Sequence, residues 1–319
     1  MSTPAPASAP LPAVALILGS CASLQAGAAL ATQLFPYAGS WGVTFVRLAI
    51  AAVFLVVVAP PTKARSWSAR TWRSVAVYGA SLGLMNAFFY ASIARIPLGV
   101  AVTIEFLGPL LLSAALSKNA RDYLWVGLAV AGMGLLGLNS LTTAATSHPG
   151  GAATSLDPIG VACALVAAAF WAVYILASKR VGSTVPGASG LAVAMVVGAL
   201  VIAPVGAPRS LVLFSDATTA ALALGTALLA SVLPYSLELA ALRSLPPAIF
   251  GILLSLEPVF AALAGLLFLG QELGALPTAA IALVVCASIG TTMSNRPAGG
   301  RRVKRTRSVP RRPTVERRT

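Results

Sequence analysis

Ten apolar stretches, each close to the length that crosses a bilayer, follow one another almost without interruption between Leu11 and Met293. No segment long enough for a water-soluble domain is left over. Hydrophobic residues make up 58% of the chain and charged residues 9%, with a mean hydropathy of +0.88, so most of the surface must face lipid. Backbone groups left unpaired in hydrocarbon are costly, which restricts a spanning chain to helices or a closed barrel. Barrel strands alternate every second residue and these runs do not. The pattern predicts an all-α, polytopic membrane protein.

Windows of hydropathy place five helices near 13–34, 42–59, 75–95, 98–117 and 123–142, and five more near 159–178, 188–205, 218–242, 248–269 and 274–293. The chain then divides into an N-terminal segment 1–12, a five-helix unit 13–142, a linker 143–158 holding the single histidine His148, a second five-helix unit 159–294 and a tail 295–319. Cys21, Cys163 and Cys286 lie singly in three different predicted helices and suggest neither a disulfide framework nor a metal site. They read as small packing residues. Residues 1–10 contain no Lys or Arg ahead of the first apolar run, unlike a secretory signal, so the first helix is expected to be retained.

The net charge of +14 reads as topology once its placement is considered. With a cytoplasmic N-terminus, Lys63, Arg65, Arg70, Arg73, Lys118, Arg121, Lys179, Arg180, Arg243 and ten basic residues of the tail share one side. Only Arg95 and Arg209 fall on the other, and Arg47 lies within helix 2. This bias follows the positive-inside rule and puts both termini in the cytoplasm. The tail, rich in Arg, Pro, Gly and Ser/Thr, reads as disordered, topogenic and next as a contact for anionic lipid. No aromatic residue is interleaved with its arginines for base stacking, so no nucleic-acid partner is expected.

Pro97 and Pro109 recur as Pro246 and Pro258 with one common offset of 149, which also carries helices 3 and 4 onto helices 8 and 9. Because each half has an odd number of crossings, the second copy enters the membrane upside down. Inverted repeats of this kind characterise secondary transporters with a site at the midplane. Duplication kept for stability alone is the plainer alternative. Pro109 and Pro258 each remove a backbone donor and kink a helix, freeing the carbonyls of Glu105 and Leu254. Those faces must line a neighbouring helix or a watery cavity.

Four charged residues fall inside predicted helices: Arg47, Glu105, Glu238 and Glu257. Each costs on the order of 2.5–3.5 kcal/mol to insert at the bilayer centre and so needs a partner or a task. Arg47 and Glu105 lie at similar depth, roughly 10 Å from the outer surface at 1.5 Å per residue. They read either as a static ion pair or as substrate contacts. Glu257 has no acidic counterpart in the first repeat, where Gly108 takes its place. It is a candidate proton carrier or a partner for a neighbouring helix. Glu238, near the end of helix 8, is expected to snorkel or pair with Arg243. Gln25, Asn86, Tyr90, Ser92, Trp171, Tyr174, Tyr235 and Ser236 are candidate cavity lining or interhelical glue. Gly79 with Gly83, and Gly127 with Ala131, have the spacing of close helix packing.

The segments SLQAGAALATQLFP (23–36), VRLAIA (46–51), SLGLMNAFFYASIARIPLGVAVTIEFLGP (81–109), FWAVYILAS (170–178), LPYSLELAALRSLP (233–246) and LLSLEPVFAALAGLLFLGQEL (253–273) resemble the inner-membrane threonine and homoserine exporters, an EamA-type branch of the drug/metabolite transporter superfamily. The resemblance implies ten transmembrane helices in two inverted five-helix EamA repeats, a central cavity and efflux of small neutral amino acids. An amino-acid substrate carries an ammonium and a carboxylate. Glu105 or Glu257 is therefore assigned to the first and Arg47 to the second, with Gln25, Asn86 and Tyr90 nearby. In the family helix 9 ends in Gly-Glu, whereas here Gly270 precedes Gln271 and then Glu272. The arginine-rich tail also departs from the pattern. With no nucleotide-binding loop in the sequence, proton coupling is expected, through Glu105 or Glu257. An exporter of drug-like cations or another metabolite on the same fold is the alternative. No cofactor or metal is expected, an enzyme is not, and the chain is read as a monomer or homodimer in the lipid bilayer.

Overall fold

The computed structural model describes residues 11–62, 64–116, 123–132, 134–135, 156–185, 188–242, 247–272 and 274–294, and every regular element among them is helical. His148 with most of the linker, the basic tail, Lys63, Lys118, Arg121, Arg243 and Pro246 lie outside the described residues. The helices are α1 (Leu11–Thr32), α2 (Phe35–Val58), α3 (Ala69–Ile93), α4 (Leu98–Glu105), α5 (Leu107–Leu116) and α6 (Tyr123–Gly132). They continue with α7 (Pro158–Thr184), α8 (Ser189–Ser210), α9 (Ala217–Ala227), α10 (Leu233–Leu242), α11 (Pro247–Leu254), α12 (Glu257–Leu269) and α13 (Ala275–Ser294).

Seven runs are long and apolar enough to span a bilayer: Leu11–Thr32, Phe35–Val58, Ala69–Ile93, Pro158–Thr184, Ser189–Phe214, Ala217–Glu238 and Ile252–Leu269. Leu98–Ser113, Tyr123–Gly132 and Ala275–Gly290 are shorter apolar helices. Val53, Val57, Leu200, Val205 and Leu267 are each more than half exposed on outer faces, the inverse of a water-soluble fold. This is a multi-pass membrane protein.

Polar residues set several helix starts where the chain leaves the apolar zone. Ser68 accepts the Thr71 N–H at 3.2 Å ahead of α3, and Asp157 accepts the Ile159 N–H at 2.8 Å ahead of α7. Asp216 accepts from Thr218 and Thr219 ahead of α9. α2 begins earlier than hydropathy predicts, at Phe35, but leaves helical geometry at Gly39, whose φ of 67° favours glycine. α8 runs on to Ser210 through Pro204 and Pro208, past the predicted end at 205.

Three predicted helices are broken rather than continuous. α4 ends at Glu105 and α5 begins at Leu107; α11 ends at Leu254 and α12 begins at Glu257. Each break falls at the carbonyl that the proline four residues later cannot bond, so Pro109 and Pro258 account for both. Helix 8 is interrupted by a single π turn, Leu228–Val232, ahead of Pro234, which the hydropathy profile does not register.

The halves interleave. α2 packs on α8, α3 on both α7 and α8, α1 on α9, α10 and α12, and α4 on α12 and α7. Leu48, Leu82, Met195 and Ile202 fill the α2, α3 and α8 contact. Gly79 and Gly83 lie against α8, where a methyl added to Gly83 would meet the Gly198 carbonyl at 2.7 Å. Gly127 has nothing within 4 Å and Ala131 is exposed, contrary to the packing role predicted from their spacing. Ala129 and Gly132 turn inward instead, with Gly132 facing Ala280 and Leu283 of α13. Spacing alone cannot tell which face of α6 meets a neighbour.

Candidate functional site

Between these helices lies a cavity of about 580 Å3. Every residue proposed from the sequence as a substrate or proton contact lines it: Gln25, Arg47, Asn86, Tyr90, Glu105, Trp171, Tyr174, Tyr235 and Glu257. Pro109 lines it too, while Pro258 does not. Ser92 is fully buried and Ser236 is exposed; neither belongs to the lining, so the candidate role given to both is corrected.

Arg47 is 3% exposed, and its fork is held by Asn86 and Tyr90, both expected nearby, and by the Ala230 carbonyl, which the sequence did not indicate. Nη1 donates to the Ala230 carbonyl at 3.0 Å, Nη2 donates to Asn86 Oδ1, and the guanidinium carbon sits 4.6 Å from the centre of the Tyr90 ring. Asn86 is fixed in turn by donating to the Leu82 carbonyl at 2.8 Å. No Arg47–Glu105 salt bridge forms. Among the described residues the ion pair within 4 Å is Arg95 with Asp157, at 2.9 Å. The static-pair reading is therefore corrected: equal depth in the membrane does not aim two side chains at each other.

The Ala230 carbonyl is available because the run from α9 into α10 is irregular there. Proline at 234 has no N–H, so the carbonyls four and five residues earlier, Ala230 and Leu229, lose a helical partner. Arg47 takes the first and Ser23 Oγ the second, at 2.7 Å. Gly27 allows α1 to approach: a Cβ there would lie 2.6 Å from the Ala230 nitrogen. Buried backbone acceptors are paired in this way almost without exception.

Glu105 and Glu257, each 8% exposed, stand at the two proline-induced helix breaks. The breaks turn carboxyls from helix interiors into cavity lining. Gly108, 149 residues before Glu257, is pressed against the backbone of Ala168, so no side chain fits there. Phe106, the residue at the first break, meets Trp171 edge-on at 4.9 Å between ring centres. Tyr174 packs on Tyr78 at 5.2 Å and Tyr90 on Phe35 at 5.8 Å, so the aromatic wall is braced from behind.

The snorkelling expected of Glu238 is overturned, while Arg243, its other expected partner, lies outside the described residues. Glu238 lines the cavity, and Oε1 accepts a hydrogen bond from Ser20 Oγ at 2.8 Å. Its spacing of three from Tyr235 places both on one helical face, a signal the sequence carried. Ser113, Ser178 and Ser288 also line the cavity and were missed, since single serines in apolar helices are common packing residues. Cys21 is buried, Cys163 half-buried and Cys286 exposed, all as free thiols, and no metal-holding cluster of His, Cys, Asp and Glu occurs among the described residues.

Gln271, where the resemblance led to Glu being expected, accepts the Leu98 N–H at 3.0 Å and so caps α4 from the other half of the chain. Gly270, with φ of 62°, closes α12 in the left-handed conformation and delivers Gln271 to that place. Glu272 is exposed.

Residues 158–293 match the EamA-like transporter family. The chain is 39% identical over 283 residues to the threonine/homoserine exporter RhtA of Escherichia coli K12, spanning 89% of this chain and 92% of that protein. The protein of the same name from Salmonella typhimurium LT2 is 38% identical over 286 residues, 90% and 92% of the two chains. A crystal structure at 19% identity superposes with a TM-score of 0.52 over 88% of this chain and 96% of that one, which indicates a common fold and nothing more. With relatives at this identity along nearly its whole length and the family pattern across its second half, the chain belongs to the EamA-like transporter family.

Proposed function

We propose that this protein is a secondary-active carrier that exports small neutral amino acids such as threonine and homoserine across the bacterial inner membrane, coupled to protons. The observation that carries the reading is one cavity that presents a buried guanidinium, Arg47, and the carboxyls of Glu105 and Glu257 among aromatic walls. A zwitterion needs both signs. Arg47 meets the carboxylate, Glu105 or Glu257 the ammonium, and Gln25, Asn86, Tyr90, Trp171, Tyr174 and Tyr235 complete the contacts. Glu105 and Glu257 are the proton-coupling candidates. The exporters named above support the substrate class.

Ten spans in two inverted five-helix repeats, 13–142 and 159–294, complete the proposal. The three shorter apolar helices added to the seven long ones support that number. The pairing of elements supports the symmetry, since α3 on α7 has its counterpart in α1 on α9 and α10, and α4 and α5 on α7 in α11 and α12 on α1. Both termini are then cytoplasmic, and the basic tail contacts anionic lipid. The protein works as a monomer or homodimer and needs no cofactor. Purified protein in vesicles tests this: labelled threonine moves against its gradient when a pH gradient is imposed. Absence of that flux with protein verified in the bilayer overturns the reading.

A further inference from the structure

The cavity holds more acceptors than a zwitterion can use. Glu105, Glu238 and Glu257 line it against one basic side chain among the described lining residues, Arg47. Arg47 gives its donors to the Ala230 carbonyl and Asn86, and among the described residues none of the three carboxyls has a cation within 4 Å. α1 packs on both α10, which carries Glu238, and α12, which begins at Glu257, and Cys21 of α1 lies in one apolar cluster with Ala241 and Phe260, so both carboxyls belong to the α1 side of the cavity. Their one hydrogen-bond donor among the described residues is Ser20, to Glu238. Independently, Gln25 of the same lining is 2% exposed and its Oε1 has no partner. Buried acceptors without donors are rare and point to a ligand that supplies them.

The surroundings suit a cation. Tyr235, Trp171 and Phe250 line the same cavity, and aromatic faces attract ammonium groups. The volume of about 580 Å3 lies within the ~300–1,000 Å3 typical of drug-sized ligands, so space remains beside a bound threonine.

We infer that Glu238 and Glu257, with Ser20 holding Glu238 in place, form a second subsite for a side-chain ammonium, so that the carrier also exports α-amino acids bearing a second amino group, such as ornithine or 2,4-diaminobutyrate. The inference rests on the amino-acid carrier proposed above, with Arg47 taking the carboxylate and Glu105 the α-ammonium in both substrate classes. A diamino acid brings a net positive charge into a cavity whose formal charges sum to a net negative one. Its second ammonium brings three donors to the end of the cavity that lacks them.

Vesicles containing the full chain, assayed in parallel with labelled ornithine and labelled threonine, test it. Ornithine is expected to be transported and to compete with threonine. Glu238→Gln is expected to lower the ratio of ornithine to threonine flux about tenfold, the scale of one hydrogen bond to a charged group. Equilibrium binding of labelled ornithine to detergent-solubilised Glu238→Gln and Glu257→Gln reads the same preference if either variant is blocked in transport. Threonine flux without ornithine flux or competition overturns the second subsite and leaves the exporter standing. An unchanged flux ratio and unchanged binding in both variants also overturn it, and loss of both fluxes in the wild type defeats the two proposals together.

Discussion

Arg47 of α2 donates to the Ala230 carbonyl, 183 residues away, at the point where a π turn and Pro234 leave that carbonyl without a helical partner. A buried cation thus repairs a defect in another helix while its guanidinium lines the cavity. The second bond, to Asn86, uses the other arm of the same fork.

Replacing Arg47 separates these duties. Arg47→Lys keeps the charge but cannot reach both acceptors as a planar fork does, so threonine flux in vesicles should fall about tenfold or more while the protein still inserts. Arg47→Ala leaves the Ala230 and Asn86 oxygens unpaired, and thermal unfolding in detergent should show a loss of about 1–3 kcal/mol for each. Normal flux in Arg47→Lys would remove the guanidinium from the binding site.

The crossing of α3 and α8 depends on the absence of side chains. Gly83→Val has to displace the Gly198 backbone and should cost about 1–3 kcal/mol or abolish folding. Gly127→Ala, with nothing within 4 Å, should stay within about 0.5 kcal/mol of wild type. Yield and melting temperature of the two variants, measured side by side, check both.

Gln271 tests the cap across the halves. Gln271→Leu strands the Leu98 N–H and should destabilise by about 1 kcal/mol, the usual scale of a lost cap. Gln271→Glu keeps an acceptor and adds a negative charge at the start of α4, where the helix dipole favours it. It should match or exceed wild type in melting temperature.

Asp157 joins the end of α3 to the start of α7. The Arg95 guanidinium beside it, together with the Ile159 N–H, holds its carboxyl below the usual carboxylate range. A depressed folded value means that its stabilisation is complete above the unfolded value of ~3.9 and disappears as pH falls through the folded one. Melting temperatures of wild type and Asp157→Asn should differ by a constant, small amount from pH 5 to 8. The difference should close on stronger acidification; a gap that widens in acid would reverse the sign.

Much of the site was legible because charges and prolines are rare in apolar helices. Arg47, Glu105, Glu257 and Pro109 each stand out against their neighbours, and the membrane cost of a charge marks them. Glu238 also stood out but was assigned to the surface, because distance from a helix end says nothing about which way that face turns. The π turn at Leu228–Val232 and the inward faces Ala129 and Gly132 leave no mark in hydropathy, since every face of these helices is apolar.

Sequence by itself determined that the chain is helical, that it lies in a membrane, and that the backbone would break ahead of Pro109 and Pro258. Those outcomes follow from local physics: unpaired amides are too costly in hydrocarbon, and proline cannot donate. Tertiary structure decided which broken carbonyl met which side chain, that no side chain fits at Gly108, and that three carboxyls share one cavity with a single guanidinium. These depend on the relative rotation and approach of helices far apart in the chain, which packing against a partner sets and which uniformly apolar faces do not encode.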